Sequence, residues 1–194
     1  MNKEKELIDK LIDLAFAEDI GDGDHTTLSC IPATAMGKSK LLIKEAGVLA
    51  GIEVAKEIFN RFDPSMKVEV FINDGTEVKP GDVAMIVEGK VQSLLQTERL
   101  MLNVMQRMSG IATMTRKYAR QLEGTHTRVL DTRKTTPGMR ILEKMAVKIG
   151  GGVNHRIGLF DMILLKDNHV DFAGGIDKAI NLSLIHISEP TRLQ

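Results

Sequence analysis

The sequence indicates an α/β protein in which a small α+β unit is followed by a parallel sheet or barrel. Strand-like segments and one helix alternate between Met36 and Val87, and a strongly helical segment runs from Gln92 to Leu122. After Gly124 the pattern changes to strand, loop and helix in turn. This last alternation is typical of parallel β-strands joined by helical crossovers.

The segment 3–17 is predicted to be an amphipathic helix, because its apolar residues recur at helical spacing. The residues on this stripe are Leu7, Ile8, Leu11, Ile12, Leu14 and Ala15. The polar segment 18–27 follows and ends the helix. Gly21 and Gly23 within it can adopt positive φ at no steric cost.

The next part is predicted to contain one helix, at about 53–62, and three strands. The strands are the alternating segments 38–45, 66–72 and 82–89. Pro80 and Gly81 precede the last strand, and both residue types favour a turn.

The segment 92–122 is predicted to be helical, with Ser109 and Gly110 as the candidate position of a break. Its stripe of Met, Leu and Ile favours packing in the core over a ligand-binding role. Part of the stripe could also serve a subunit interface.

Short elements alternate after Gly124. Strands are predicted at 128–131 and at 161–166, the second of them buried. One helix is predicted to begin at Pro137 and to end near Lys148, and another to cover about 176–182. The loops between these elements are predicted at 132–136, 150–158 and 167–170.

The composition is that of an ordinary soluble globular protein, with 43% apolar and 27% charged residues. The formal net charge is zero, which argues against nucleic acid or an anionic membrane surface as a partner. Cys30 is the single cysteine, so a reducing compartment is expected. The first residues do not form a signal peptide and no apolar run could span a bilayer, so a cytoplasmic location is expected.

Positive charge is concentrated in one segment. Between Arg128 and Lys166 there are eight Lys and Arg residues against three acidic ones, whereas residues 1–127 contain 16 basic and 19 acidic residues. A basic segment inside an otherwise balanced protein favours a small anionic ligand over a long polyanion.

Three loops in this segment follow predicted strands or a glycine run, and in a β/α barrel such loops converge on one mouth. The residues that they contribute are Thr132, Arg133, Lys134 and Thr135, then Asn154, His155 and Arg156, then Lys166, Asp167, Asn168 and His169. Arg offers a planar fork for carboxylates and phosphates, and Lys a mobile point charge. The three glycines 150–152 are expected to let the backbone approach a ligand closely.

Some of these cations have a simpler interpretation as solvated surface charges. The cations assigned to the surface are Arg128, Arg140, Lys144 and Lys148. The last three of these recur at helical spacing and are expected on an outer helix face. The cations for which a loop position favours ligand binding are Arg133, Lys134, Arg156 and Lys166. His155 taken alone is more often a structural histidine than a catalyst. The pattern by itself therefore indicates binding of a small anion.

Four longer segments are distinctive in combination: VLDTRKTTPGMRILEKMAVKIGGGVNHRIGLFDMILLKDNHV at 129–170, TERLMLNVMQRMSGIAT at 97–113, LLIKEAGVLAGIEVAKEIF at 41–59 and EDIGDGDHTT at 18–27. Together they resemble the quinolinate phosphoribosyltransferase family. The resemblance covers nearly all of residues 5–182. It implies an N-terminal α/β sandwich domain followed by an open α/β barrel. It also implies a homodimer in which the partner's N-terminal domain completes each active site.

The resemblance also implies roles for individual residues. The pocket for the two carboxylates of quinolinate is implied to consist of Arg133, His155, Arg156 and Lys166. Arg99 is implied to be contributed by the other subunit. Thr132 and Lys134 are implied to lie in the substrate-binding loop, with Lys134 near the phosphoribosyl side.

The implied reaction joins the ring nitrogen of quinolinate to C1 of phosphoribosyl pyrophosphate and releases pyrophosphate. Loss of the 2-carboxylate as CO2 then gives nicotinate mononucleotide for NAD biosynthesis. Charge develops at C1 and on the leaving group, so Mg2+ is the expected cofactor. A cation would stabilise the electron density left at ring C2, and Lys134 or Lys166 is the hypothesised catalytic residue.

The family pattern fades after about Leu182. We expect an N-terminal domain over 1–110, the first part of a barrel over 111–182, and a non-native tail over 183–194 in which Glu189–Pro190 would end a helix. A β/α barrel takes about 250 residues, so acidic residues that serve Mg2+ and the ribose are expected outside this chain. On this interpretation the chain is inactive as a phosphoribosyltransferase and poorly soluble.

The sequence is compatible to different degrees with three alternative functions. A catalytically inactive fragment could retain only quinolinate binding. A paralogue associated with molybdate transport shares the fold, but the segments NHR at 154–156 and KDNH at 166–169 favour quinolinate. A lipoyl- or biotinyl-type carrier turn at 75–82 is disfavoured, because no lysine lies at the tip of a hairpin between matched strand repeats.

Overall fold

The structure, a computed structural model, describes residues 3–188 of the chain. Its helices are α1 Lys3–Asp19, α2 His25–Cys30, α3 Ile52–Phe62, α4 Val91–Gln121, α5 Arg140–Ile149, α6 Asp167–Ala173 and α7 Ile176–Ser188. Its strands are β1 Met36–Leu42, β2 Gly47–Val48, β3 Lys67–Val70, β4 Glu77–Val78 and β5 Val83–Lys90. The chain divides into two compact units, and the division falls between His155 and Arg156.

A three-stranded antiparallel sheet in the order β1–β5–β3 forms the framework of the first unit. The middle strand, β5, is the most deeply buried, with Ala84, Met85 and Val87 almost inaccessible to solvent. Lys38 of β1 lies opposite Glu88 of β5, and the two side chains form an exposed ion pair with a nitrogen–oxygen distance of 3.0 Å. The three predicted strands are confirmed, with somewhat different bounds.

A second sheet pairs β2 with β4 in antiparallel fashion and was not predicted. Each strand has two residues, which is too short to show an alternating pattern. The turn expected near Pro80 is present immediately after β4. The carboxylate of Asp82 accepts the backbone N–H of Lys79 at 2.9 Å, and Gly81 has φ of +95°.

The predicted N-terminal helix is confirmed as α1, but its apolar stripe is only partly covered. Ile12 is buried, whereas Leu7 and Leu14 are exposed. The positive φ expected at Gly21 and Gly23 is present. Helix α2 was not predicted, and it begins there because Oδ1 of Asp24 accepts the backbone N–H of Thr27 at 3.0 Å.

Helix α4 is continuous over 31 residues, so the candidate break at Ser109–Gly110 was wrong. One glycine costs a helix only about 1 kcal/mol, and Ser109 has a partner outside the helix. Its hydroxyl oxygen accepts the backbone N–H of Ala50 at 3.0 Å and lies 3.2 Å from the carbonyl oxygen of Ala50. The Met and Leu stripe packs in the core, as predicted, through residues that include Leu94, Met101, Met105 and Met108.

The region after α4 contains fewer regular strands than predicted. The expected strand at 128–131 is reduced to one parallel bridge, between Leu130 and Val153. The next helix, α5, begins at Arg140 instead of Pro137, because a turn closed by the bond from the N–H of Met139 to the carbonyl of Thr136 precedes it.

Two predictions in the second unit were wrong. The segment 161–166 is not a strand, and Met162, Ile163 and Leu164 are exposed. Within the described residues no strand pairs with this segment, and a strand forms only where a neighbour satisfies its backbone. The predicted loop 167–170 is helical, as part of α6. Its first turn is fixed by the backbone N–H of Lys166, which donates to Nδ1 of His169 at 3.0 Å.

The expected division of the chain into 1–110, 111–182 and 183–194 stays a prediction. Helix α4 crosses from residue 110 to residue 111 without interruption. Residues 183–188 belong to α7, which is longer than the predicted 176–182. Residues 189–194 of the predicted tail lie outside the described residues.

The predicted α/β class is confirmed by the sheets of the N-terminal part and by the parallel bridge that follows α4. The parallel bridge begins the expected alternation of strand, loop and helix. None of the helices formed by residues 3–188 combines the length and apolar character that a membrane crossing requires.

Asp63 should make the stability of the first unit depend on pH. Its carboxylate accepts hydrogen bonds from Ser65 and, at 2.7 Å, from the buried hydroxyl of Ser93, and these bonds lower its pKa below the usual 3.8. A carboxylate with a lowered pKa in the folded state stabilises the fold above the unfolded-state pKa, and this contribution is lost as the pH falls through the folded-state pKa.

We therefore expect Asp63→Asn to lower the free energy of unfolding by about 1 kcal/mol at pH 7. The difference from the unaltered chain should shrink as the pH falls below about 4. Urea unfolding at a series of pH values measures it, and a difference that stays constant over this range would contradict the assignment.

Candidate functional site

A buried ion pair joins Asp131, at the end of the first predicted barrel strand, to Lys144 of α5. The distance from Nζ to Oδ1 is 2.5 Å, and the two side chains are only 6% and 3% exposed for Asp131 and Lys144 respectively. The prediction that Lys144 lies on a solvated outer face was therefore wrong. Helical spacing identifies residues that share a face, but it does not reveal what lies opposite that face. Of the other cations assigned to the surface, Arg128 and Lys148 are exposed, and half-buried Arg140 donates to the hydroxyl of Thr135.

The ion pair holds the backbone of His155 from both sides. Oδ1 of Asp131 accepts the backbone N–H of His155 at 2.8 Å, and Nζ of Lys144 donates to the carbonyl oxygen of His155 at 3.0 Å. Asn154 completes the arrangement, because its side-chain amide lies 2.9 Å from Oδ2 of Asp131 and 2.9 Å from the carbonyl oxygen of Lys144, and the amide nitrogen is the atom that can donate to these two acceptors. His155 is thus fixed through its main chain, and its half-buried imidazole is not needed for that purpose.

The parallel bridge brings the beginnings of two predicted site loops side by side. Val153 donates its N–H to the carbonyl of Val129 at 2.8 Å, and Asp131 donates its N–H to the carbonyl of Val153 at 3.2 Å. The loop that starts at Thr132 and the loop that starts at Asn154 therefore leave adjacent backbone positions. The convergence of these loops on one mouth stays a prediction.

The loop 132–136 has an ordered start, and its central cation is partly enclosed. The hydroxyl of Thr132 accepts the backbone N–H of Lys134 at 3.0 Å. Nε of Arg133 is buried and has no hydrogen-bond partner among the described residues. The side chain of Lys134 is exposed. This loop therefore offers one guanidinium N–H that lacks a partner, beside one solvated ammonium group.

The other end of this loop is held by Glu143 and Arg107, which the sequence did not identify. Oε1 of Glu143 accepts from Nε and Nη2 of Arg107, at 3.1 and 2.6 Å, and Oε2 lies 3.3 Å from the backbone nitrogen of Thr136. Nη2 of Arg107 also donates to the hydroxyl of Thr136 at 2.9 Å. Arg107 and Glu143 are 36 positions apart, so no local pattern could have paired them.

Two glycines of the run 150–152 lie too close to neighbouring groups to carry a side chain. A Cβ at Gly150 would lie 2.5 Å from the carbonyl oxygen of Ala112, and a Cβ at Gly152 would lie 2.9 Å from the side chain of Thr115. Both approaches are too close for any residue other than glycine. In the first unit these two glycines therefore allow close packing against α4. The expected close approach of the backbone to a ligand stays a prediction.

Arg156 and Lys166 belong to the second unit. Arg156 is buried, and its Nη1 donates to the carbonyl oxygen of Met162 at 3.1 Å. The loop between them is closed by Asp161, whose carboxylate accepts the backbone N–H groups of Ile157 and Gly158 at 2.7 and 2.8 Å. Lys166 is exposed and immediately precedes α6.

Arg99 lies on the exposed side of α4, and it forms no ion pair with any residue that the structure describes. Its predicted contribution to another subunit's site therefore stays a prediction.

One large cavity in the first unit lies away from these loops. It has a volume of about 770 Å³ and is lined by residues 41–49, by Val78 and by one face of α4 between Leu102 and Lys117. It shares no lining residue with the loops that begin at Thr132 and Asn154. Among residues 3–188 no group of three or more His, Cys, Asp or Glu side chains is placed to hold a metal ion.

Comparisons with known proteins agree with the resemblance seen in the sequence. The chain matches the family model "Quinolinate phosphoribosyl transferase, N-terminal domain" over residues 24–109 and "Quinolinate phosphoribosyl transferase, C-terminal domain" over residues 111–190. The second match extends past Leu182, so it includes part of the segment that was expected to be a non-native tail.

Similar proteins include the decarboxylating quinolinate phosphoribosyltransferase 1b of Nicotiana tabacum. It is 48% identical over 186 residues, which cover 95% of this chain and 52% of the relative. The chloroplastic nicotinate-nucleotide pyrophosphorylase of Oryza sativa is 49% identical over 172 residues, covering 88% of this chain and 46% of the relative. The chain thus spans about half the length of the curated relatives it matches.

A solved structure with the same fold is that of NadC from Streptococcus pyogenes. It superposes with a TM-score of 0.87 at 41% sequence identity, over 93% of this chain and 64% of that one. This similarity confirms the predicted fold class across the described part of the chain.

Lys144→Met is expected to lower the free energy of unfolding by about 3–5 kcal/mol, because it leaves the buried carboxylate of Asp131 without its cation. The matched control is Lys148→Met on the same helix. Its exposed side chain predicts a change within about 0.5 kcal/mol. Urea unfolding measures both, and equal effects of the two substitutions would show that the buried pair does not stabilise the fold.

Proposed function

The chain belongs to the quinolinate phosphoribosyltransferase family, and we propose that its function is the family's reaction. In that reaction the phosphoribosyl group of phosphoribosyl pyrophosphate is transferred to quinolinate, and the products are nicotinate mononucleotide, CO2 and pyrophosphate. The names of two similar proteins, a decarboxylating quinolinate phosphoribosyltransferase and a nicotinate-nucleotide pyrophosphorylase, support this proposal.

The observation that supports the proposal most strongly is the buried Nε of Arg133, which has no hydrogen-bond partner among the described residues. A buried donor that lacks a partner costs free energy, so it favours a ligand that supplies an acceptor. A guanidinium group binds a carboxylate through two parallel hydrogen bonds, and quinolinate has two carboxylates on adjacent ring carbons.

The other groups proposed for the carboxylates are His155, Arg156 and Lys166. They come from the resemblance to the family. The main chain of His155 is fixed by the Asp131–Lys144 pair, so the imidazole can be presented in a constant position. Thr132 is proposed to shape the substrate loop through its bond to the N–H of Lys134, with Lys134 towards the phosphoribosyl side.

The chemistry requires cations at two stages. In the first step the ring nitrogen forms a bond to C1 of the ribose while the bond from C1 to the pyrophosphate oxygen breaks. In the second step the bond from ring C2 to the 2-carboxylate breaks, and the electron pair left at C2 takes up a proton as CO2 leaves. A nearby ammonium group lowers the energy of that electron pair, and we propose Lys134 or Lys166 for this role.

Mg2+ is proposed to enter with phosphoribosyl pyrophosphate, bound to its diphosphate. Mg2+ prefers oxygen ligands and commonly binds substrate phosphates with one or two carboxylates. Residues 3–188 offer no cluster of metal ligands, so none of them is assigned to the ion.

A homodimer with shared active sites is proposed as the functional assembly. Arg99 supports this proposal because it is exposed on α4 and has no ionic partner among the described residues. In a two-fold dimer each subunit would contribute its Arg99 to the site of the other, so both sites would be equivalent.

The cytoplasm is proposed as the location. Neither nucleic acid nor a membrane is proposed as a partner. The exposed single cysteine, Cys30, is compatible with a reducing compartment. The names of some plant relatives assign those proteins to mitochondria or chloroplasts, so fractionation of cells is the direct measurement.

Calorimetric titration with quinolinate tests the proposed substrate. We expect saturable binding by the unaltered chain, and affinity reduced at least about tenfold by Arg133→Ala, because one charge-assisted pair of hydrogen bonds is lost. Nicotinate, which lacks the 2-carboxylate, should also bind at least about tenfold more weakly. The control Arg128→Ala removes an exposed cation of the same segment and should leave the affinity unchanged.

Absence of quinolinate binding, or equal affinity for quinolinate and nicotinate, would contradict the proposal. An assay for nicotinate mononucleotide after addition of phosphoribosyl pyrophosphate and Mg2+ then separates binding from turnover.

A mixing experiment tests the shared site. Arg99→Ala and Arg133→Ala chains, combined in equal amounts and refolded together, should form mixed dimers as about half of all dimers. Each mixed dimer has one site with both arginines intact, so calorimetry should find tight quinolinate binding at about a quarter of all chains. If Arg99 acts within its own subunit, mixing restores no tight site.

A further inference from the structure

Two consecutive residues of α5, with charges of opposite sign, hold the two ends of the loop 132–136. Lys144 binds Asp131, the residue before the loop. Glu143 lies 3.3 Å, through Oε2, from the backbone nitrogen of Thr136, the last residue of the loop. Both α5 side chains are buried, so the loop is fixed to a rigid helix at both ends.

Arg107 links the end of this loop to α4. Its Nη2 donates both to Oε1 of Glu143, at 2.6 Å, and to the hydroxyl of Thr136, at 2.9 Å. Its Nε makes a second bond to Oε1 of Glu143, at 3.1 Å. A planar guanidinium can make these bonds together, whereas an ammonium group cannot reproduce their geometry.

Arg107 is also the cation that neutralises Glu143. The side chain of Glu143 is 10% exposed, and a carboxylate in that environment requires a cation or several hydrogen-bond donors. Arg133 is three residues before Thr136 and has a buried Nε without a partner. If Arg107 were absent, Glu143 could attract a cation of the loop 132–136 instead. That cation would then no longer be available to bind an anionic substrate.

We propose that Arg107 is a positioning residue for the substrate-binding loop, which acts through Glu143 and Thr136 and keeps Arg133 available for a carboxylate of the substrate. The proposal rests on the proposed quinolinate-binding function of the loop. Arg107 does not itself contact the substrate in this scheme. The side chain of Arg107 is 50% exposed but that of Glu143 is only 10% exposed, so loss of Arg107 is expected to lower stability as well as substrate binding.

The test compares Arg107→Met with Arg120→Met by quinolinate calorimetry and thermal unfolding. Arg120 is a matched control, because it lies on the same helix and pairs with Glu77 at the surface. We expect Arg107→Met to weaken quinolinate binding about tenfold and Arg120→Met to leave it unchanged, when both are measured well below their melting temperatures. Arg107→Lys, which keeps the charge beside Glu143, should weaken binding less, and it provides the measurement if Arg107→Met does not fold.

A double-mutant cycle separates positioning from a general structural effect. If Arg107 acts through Arg133, the Arg107→Met substitution should have little further effect in a chain that already carries Arg133→Ala. The proposal is overturned if Arg107→Met and Arg107→Lys bind as tightly as Arg120→Met. It is also overturned if the losses from Arg107→Met and Arg133→Ala simply multiply.

Amide hydrogen exchange provides a readout that does not depend on quinolinate. Backbone amides of residues 132–139 should exchange faster in Arg107→Met than in Arg120→Met, because the hold on Thr136 is released. If the unaltered chain binds no quinolinate, the proposed function fails, and the exchange comparison alone then decides whether Arg107 positions the loop. Equal exchange in the two variants would overturn the positioning role.

Discussion

The buried pair between Asp131 and Lys144 is the interaction on which the candidate site depends. Removing two charges from water is costly, and the cost is offset only if the charges meet each other and their remaining hydrogen-bond positions are filled. Here they are filled by the backbone N–H and C=O of His155 and by the amide of Asn154. The electrostatic requirement of the pair therefore becomes a geometric restraint on the loop that carries the predicted site residue His155. Because Asp131 also precedes Thr132, the same pair sets the starting position of both loops.

Helix α4 serves the N-terminal sheets and the loops after Asp131 at the same time. On one side the hydroxyls of Ser109 and Thr113 accept backbone N–H groups of Ala50 and Val48, which would otherwise be buried without partners. Elsewhere it packs so closely against Gly150 and Gly152 that no side chain could be accommodated there. Arg107, on the same helix, reaches Glu143. The candidate site loops are thus supported by a helix whose own position is fixed by the N-terminal core.

Periodicity was sufficient to predict the elements that form through local sequence, and insufficient for those that need a distant partner. The helix α3 and the strand β5 follow from their spacing, because each buries one side or both against the core. The segment 161–166 has the composition of a buried strand, but in the described residues it has no strand to pair with and stays irregular. The cationic loops 132–134 and 154–156 were identifiable as charged loops after strands, and the family resemblance gave them roles. The residues that support them were not identifiable, because Lys144 resembled a surface lysine and Arg107 is 36 positions from Glu143.

The structure also changes how the positive charge of the segment 128–166 is to be understood. Lys144 is neutralised within the fold by Asp131, and the half-buried Arg140 is bound to Thr135, so neither can be counted as a free site for an anion. Glu143, an acid of the same segment, is matched by Arg107 from outside it. What remains on the loop after Asp131 is Arg133, whose Nε lacks a partner among the described residues, and the solvated Lys134. The partly buried Arg133, on a loop anchored at both ends, suits a small, rigid anion better than a flexible one, because a fixed donor recovers the most binding energy from a ligand that is equally fixed. The proposed substrate, a dicarboxylate on a rigid aromatic ring, has that property.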